Sequence, residues 1–242
     1  MRPETDKVAV LLRLPQGALQ SRAMSPSHGA PFRGFRDDEE SQFFCAAGRT
    51  PEETWNLSVD RFADILETLE ALANAGPIEL SPTLLCSWHR EIFGELFPND
   101  AGRLRGFRDS QPQHVYFGVH NRGYRGVTPR ELPRRLNKIC AEFNTAAAEI
   151  RASSGSDTYS AVHAATRLYA KVLRAHPFVD GNLRGTTIAL NAGLVTLGLD
   201  IVAFKDLARH DELLGIAFVG KHDPYRPLAE HIAELVGDTR SA

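Results

Sequence analysis

Two apolar stretches with helical spacing, residues 159–175 and 183–199, are separated by nine residues that cannot be helix throughout: HPFVDGNLR, 176–184. Pro177 pushes the residue before it out of the right-handed α region, so the first helix must end at His176. Asp180-Gly181-Asn182 is a turn-forming trio, and the second helix must open near Asn182 or Leu183. The first helix carries Tyr159, Val162, Ala165, Leu168 and Val172 on one face, with Asp157 as its cap. The second is apolar almost all round, the mark of a buried helix.

The rest of the chain supplies partners for this pair. Phe62, Ile65, Leu66, Leu69 and Leu72 recur at three and four, which predicts an amphipathic helix from Leu57 to about Gly76-Pro77. Ser81 as N-cap and Pro82 at the first helical position open another, running through LLCSWHREIFGELF to Pro98. Residues 101–127 are punctuated by glycine, and VYFGV at 115–119 has β character, predicting a short strand or hairpin. Thr128-Pro129 starts a helix with Leu132, Leu136, Ile139, Cys140 and Phe143, and a last helix covers about 227–236. The fold class is therefore all-α with a short β-hairpin. Residues 15–42 are rich in Gly, Pro, Ser and charge without apolar period, so 1–56 reads as a partly flexible N-terminal arm and 57–242 as the helical domain.

Composition excludes several classes. A net charge of −2 gives no overall pull toward nucleic acid or anionic lipid. No apolar run reaches the roughly 18 residues needed to span a bilayer; KVAVLLRL at 7–14 is too short. Cys45, Cys86 and Cys140 form no CxxC and fit a reducing compartment. The expected location is the cytoplasm, with the polar arm leaving delivery as a secreted effector open.

The loop's chemistry is denser than a connector needs. Its backbone feeds a helix N-terminus, whose free N–H groups and dipole seat anions. Arg184 adds a forked donor suited to phosphate. Asp180 beside a bound phosphate requires a cation between them, and magnesium joins one or two carboxylates to substrate phosphates. His176, with a reference pKa of about 6.5, can be neutral and take a proton from an attacking hydroxyl. Each residue alone also has an ordinary role, as helix cap, turn former or solvated charge. Together they point to transfer of a phosphate-containing group to an alcohol. DGNLRG at 180–185 fails as a calcium loop because Asn191 stands where the bidentate glutamate belongs. GIAFVGKH at 215–222 fails as a P-loop because His222 replaces the metal-binding hydroxyl.

The stretch HPFVDGNLRGTT resembles the central motif of the Fic (Fic/Doc) family, His-Pro-Phe-x-(Asp/Glu)-Gly-Asn-Gly-Arg-x-x-Arg. WHREIFGELFPNDAGRLRGF at 88–107 and HVYFGV at 114–119 are similar to the segment leading to the family's target-positioning flap and to the flap itself, and the likeness covers about 60–235. The resemblance implies a helical Fic-type fold with a hairpin flap, and an enzyme. His176 would be the base, Asp180 the magnesium ligand, and Gly181, Asn182, Leu183 and Arg184 the phosphate seat. Phe178 would anchor the loop in the core, and Val115, Tyr116 and Phe117 would align a target segment. The implied reaction moves a nucleoside monophosphate, AMP from ATP before others, to a Ser, Thr or Tyr of a protein. Two positions depart: Leu183 replaces the second glycine and Thr187 the final arginine. The missing cation loosens the hold on a triphosphate and opens other donors, another NTP or CDP-choline among them. Phosphocholine or phosphate transfer, a small-molecule acceptor, or a degenerate member that only binds are the alternatives. The family's inhibitory (Ser/Thr)-x-x-x-Glu-(Gly/Asn) sequence has no convincing copy here, since isoleucine follows the glutamate at both Ser87…Glu91 and Thr145…Glu149.

Overall fold

The computed structural model describes residues 51–107, 115–120, 122–153, 157–204 and 206–240. The predicted N-terminal arm before residue 51, Cys45 and His114 of the flap sequence lie outside the described residues. The described elements are seven helices and one hairpin: α1 (Pro51–Ala75), α2 (Pro82–Phe93), β1 (Tyr116–Val119), β2 (Arg122–Arg125), α3 (Leu132–Ala152), α4 (Thr158–Ala175), α5 (Asn182–Thr196), α6 (Leu207–Val219) and α7 (Arg226–Arg240). No described helix is long and apolar enough to cross a membrane.

The central pair is α4 and α5. α3 and α7 cover α4, and α1 and α2 cover α5. α5 is buried nearly all round, from Gly185 through Leu194. Gly193 lets three helices close up: a Cβ there would stand 3.2 Å from Ala165 and 3.3 Å from the Phe143 ring. Each large apolar side chain buried in this core contributes about 1.5–3 kcal/mol.

Local signals set most helix ends. Ser81 Oγ accepts the Leu84 N–H at 3.1 Å, and Asp157 Oδ1 accepts the Tyr159 N–H at 3.1 Å. Five boundaries differ from expectation, one of them the end of α5, which stops at Thr196 rather than near Leu199. α1 starts at Pro51, six residues ahead of Leu57. α2 ends at Phe93 with Gly94 as its cap, and the chain turns so that Leu96 and Phe97 are buried without being helical. Thr128-Pro129 forms a turn, Thr128 Oγ1 donating to Glu131 at 2.7 Å, and α3 begins only at Leu132. α7 extends from Arg226 to Arg240, beyond the predicted 227–236. α6 was not signalled by periodicity. It takes up Gly215–Val219, so the P-loop-like stretch is helix, capped by Gly220.

Three asparagines tie connections to the core in the same way. The amide of Asn144 bonds both the N–H and the C=O of Leu80, that of Asn191 bonds both of Val202, and that of Asn182 bonds both of Phe178. A side-chain amide offers donor and acceptor on one flat group, so it can stand in for a strand partner.

Candidate functional site

The loop between α4 and α5 begins with a left-handed residue. α4 stops at Ala175, and His176 caps it at φ 51°, ψ 64°, its N–H shared between Val172 and Leu173 carbonyls. Proline at 177 forbids the right-handed region at 176, and the left-handed cap is the alternative that still closes the helix. Phe178 is 1% exposed. Gly181 is also left-handed, at φ 68°, and an added Cβ would fall 2.2 Å from the Phe93 ring. Glycine is required there both by conformation and by space. Leu183 is not among the residues of positive φ, so the missing second glycine leaves no backbone strain; its side chain is 43% exposed.

Two residues absent from the sequence reading hold this loop. His89 of α2 stacks on Phe178 at 3.8 Å between centroids. Its Nδ1 accepts the Gly102 N–H at 2.9 Å, so Nε2 carries the proton and donates to Asp180 O at 2.9 Å. Burial pushes His89 down to about 4, against the Asp180 bond that raises it. Arg105 is 2% exposed and lies at the open end of α4. Its Nε donates to His176 O at 2.6 Å and its Nη2 to Val127 O and Ala175 O, while its backbone N–H reaches Pro177 O at 2.9 Å. Burial lowers Arg105 to about 10, which leaves it a cation at neutral pH. It thus supplies the positive charge that a helix C-terminus favours. The only sequence signal for His89 was its place among Leu85, Trp88, Ile92 and Phe93 on the apolar face of α2.

The predicted site residues fall into two groups. His176, Asp180, Gly181 and the α5 N-terminus are gathered on the loop. The His176 ring stacks on Phe117 of β1, at 4.3 Å and 14°. Its Nδ1 is buried without a hydrogen-bond partner, which leaves Nε2 as the nitrogen open to chemistry. Burial first, and the Arg105 charge second, push His176 down to about 3. Asp180 Oδ1 accepts the Gly181 N–H at 2.6 Å. Asn182 enters through its backbone alone, because its side chain is committed to Phe178.

Arg184 and Thr187 belong to the second group. The Arg184 guanidinium donates to Ser58 of α1 at 2.9 Å and lies 5.6 Å from the centre of the Phe93 ring. Burial lowers its pKa, with Asp180 opposing. Thr187 Oγ1 donates to Leu183 O at 2.9 Å. Of the flap residues, Phe117 packs inward with Tyr124, its cross-strand partner, while Tyr116 is exposed opposite Arg125. Val115 precedes the strand and accepts the Gly126 N–H. A cavity of about 330 Å³ between α3 and α4, lined by Phe143, Tyr159, His163 and Arg167 among others, shares no residue with the loop.

A group of three or more His, Cys, Asp or Glu suited to hold a metal is absent among the described residues. A lone carboxylate nonetheless fits magnesium when the substrate's phosphates complete the shell. Asp180 spends one oxygen on Gly181 and keeps the other free of hydrogen bonds among the described residues.

The family model described as "Fic/DOC family" matches residues 79–194, which run from α2 through the hairpin and the loop to α5. Over 156 residues the chain is 27% identical to the "Protein adenylyltransferase Fic" of Nematostella vectensis, covering 64% of this chain and 32% of that protein. The chain thus spans about a third of that relative's length. A Fic domain containing signaling protein from Bacteroides thetaiotaomicron shares the fold with a TM-score of 0.61 at 16% identity, over 81% of this chain and 75% of that one. The BepC protein of Bartonella tribocorum, solved with bound AMPPNP, does so with a TM-score of 0.58 at 16% identity, over 76% and 87%. The motif's loop, its leading helix and its flap all lie inside residues 79–194, the segment that matches the Fic/DOC family.

Proposed function

We propose that this chain is a transferase that moves a phosphate-containing group from a nucleotide to a protein hydroxyl, with AMP from ATP as the first donor pair to consider. The state of His176 carries the reading. It is an uncharged imidazole across the pH range of life, held by its ring against Phe117, with Nε2 unblocked and a helix N-terminus a few residues on. The adenylyltransferase likeness of the Nematostella relative and the AMPPNP bound to BepC support ATP as donor.

His176 Nε2 takes the proton of the acceptor hydroxyl as its oxygen attacks the α-phosphorus. The bond from that phosphorus to the bridging oxygen breaks, and pyrophosphate leaves. The backbone N–H groups at the start of α5 offer donors to the phosphate oxygens where charge gathers; Gly181, its own N–H given to Asp180, sets the turn that presents them. Asp180 would hold magnesium, which would neutralise phosphate charge. The flap residues Val115, Tyr116 and Phe117 would align the target as an added strand.

The commitments of Arg184 to Ser58 and of Thr187 to Leu183 O favour a second reading, a donor gripped less at its far end, such as CDP-choline. Incubation with α-labelled ATP, γ-labelled ATP and labelled CDP-choline, each with magnesium, separates these. Label retained from the α position supports nucleotidyl transfer. Label from γ means phosphotransfer, and choline label means the second reading. Equal labelling by wild type and His176→Ala with every donor removes His176 as the base.

A further inference from the structure

Residues 101–138 hold nine Lys/Arg against two Asp/Glu, within a chain that totals 28 against 30. The remainder is therefore acidic, with nineteen against twenty-eight. The fold gathers the basic segment beside the loop. Gly106 packs on Pro129, where a Cβ would fall 2.2 Å from the ring carbon, so the 103–107 turn lies against the start of α3. The Gly126 N–H donates to Val115 O, which carries the strip onto the hairpin. Arg174 Nη1 donates to Arg125 O, which fixes the end of β2 beside the last turn of α4, two residues before His176.

Along this strip Arg122, Arg125, Arg130, Arg134 and Arg135 are exposed. Among the described residues, no carboxylate pairs with Arg122, Arg130, Arg134 or Arg135, while Lys138 at the end of the segment pairs with Glu142. Arg130 stands in the turn just before α3, and Arg134 and Arg135 in its first turn. Two exposed rings accompany them: Phe107, with the Arg103 guanidinium 4.5 Å from its centre, and Tyr116, directly across the hairpin from Arg125.

We infer that this strip docks an acidic segment of the acceptor protein, with carboxylates flanking the hydroxyl to be modified. The inference rests on the proposed reading that the flap receives a protein target. Arginine forks match carboxylates in two-point geometry. Among the described residues β1 and β2 pair only with each other, and no further strand covers the outer edge of β1. Such an edge is completed by a polypeptide backbone and offers nothing equivalent to a nucleic acid. The acidic remainder of the chain also repels a long polyanion that extends past the strip.

Fluorescence anisotropy on the full chain tests this with short labelled peptides, each holding one central serine flanked by Asp/Glu, by Asn/Gln or by Lys. A single-stranded oligonucleotide matched in charge to the acidic peptide completes the set. The acidic peptide should bind about tenfold tighter than the neutral one, and the gap should shrink at high salt. The combined Arg130→Glu, Arg134→Glu, Arg135→Glu variant should lose the preference while its urea midpoint stays in place. Equal or absent binding of acidic and neutral peptides overturns the inference. Tighter binding of the oligonucleotide assigns the strip to nucleic acid instead, and self-association lost in the triple variant assigns it to a second copy. Binding needs no turnover, so the two proposals fail separately. Transfer without charge preference removes the docking strip, and charge-selective binding without transfer removes the chemistry.

Discussion

The two sides of the 176–184 loop treat their polar atoms in opposite ways. On the inner side, His89 uses both ring nitrogens, Asn182 uses both ends of its amide, and Arg105 gathers carbonyls from residues 127, 175 and 176 through Nε and Nη2, with Nη1 the one nitrogen of the three residues left without a partner. On the outer side, His176 has a buried nitrogen with no partner, Asp180 has an oxygen to spare among the described residues, and Leu183 points to solvent. Unpaired capacity is costly in a protein interior. It persists here because the paired side fixes the backbone that displays it. The contrast separates groups that hold the loop from groups left available to a substrate.

The largest effect that would break this division is at His176. His176→Ala should cut transfer by about 10²–10⁴-fold, as loss of a general base does, while stability measured by urea unfolding changes by about 1 kcal/mol or less. A large loss of stability would move His176 to the holding side. The reverse pattern is expected for Arg105→Leu. It strands the carbonyls of Val127, Ala175 and His176, so urea unfolding should show a loss of about 3 kcal/mol.

Acid should strike the holding side next. His89 and the similarly buried His210, which meets the Tyr169 hydroxyl at 2.7 Å, have folded pKa values of about 4 and about 3, lowered by burial. Because those values lie below the unfolded one near 6.5, the unfolded chain takes up protons first. Stability is full above about pH 6.5 and falls as pH drops toward the folded values, by roughly 2–3 kcal/mol per histidine near pH 4.5. Urea midpoints across pH check this, and His210→Gln should remove one histidine's share of the slope. His176, also at about 3, adds a like share to that slope, whereas the transfer step itself should be indifferent over the same span. With His176 at about 3, the transfer rate of still-folded protein should hold from about pH 8 to about pH 5; a fall centred near 6.5 would show that substrate access restores an ordinary histidine. The smallest expected change sharpens the donor question. Thr187→Arg should strengthen binding of a nucleoside triphosphate by about tenfold, one charge-assisted contact, read by calorimetry with ATP and CDP-choline side by side.

How far the sequence spoke depends on how far apart the interacting residues are. Ser81 and Asp157 cap helices through atoms two or three residues away, and both caps stand where the sequence put them. The loop's motif lies in one run of nine residues, so its turn was legible from the residues and its buried Phe178 from the resemblance. His89 and Arg105 were not, because their partners lie 91 and 71 residues on. α6 escaped notice because Leu213, Leu214, Ile216 and Phe218 crowd around Gly215 without a clear polar face. Arg184 is placed by the motif as a candidate phosphate ligand, and its hydrogen bond to Ser58, 126 residues away, needs the helix packing to bring it about. The end of α2 shows the same limit at short range: the Gly94 break was hidden by the apolar Leu96 and Phe97, which fill the core from a turn.

Arg105 also sets what can be moved between proteins. Its guanidinium ties the chain entering α3 to the chain leaving α4, and a side chain at Gly126 would meet its Nη2 at 2.8 Å and His176 Cβ at 3.2 Å. A designer who copied HPFVDGNLR alone into another helical bundle would import the reactive groups without the brace that aims them. The smallest portable unit joins three separated stretches: the turn that supplies Arg105, the glycine that makes room for it, and the loop.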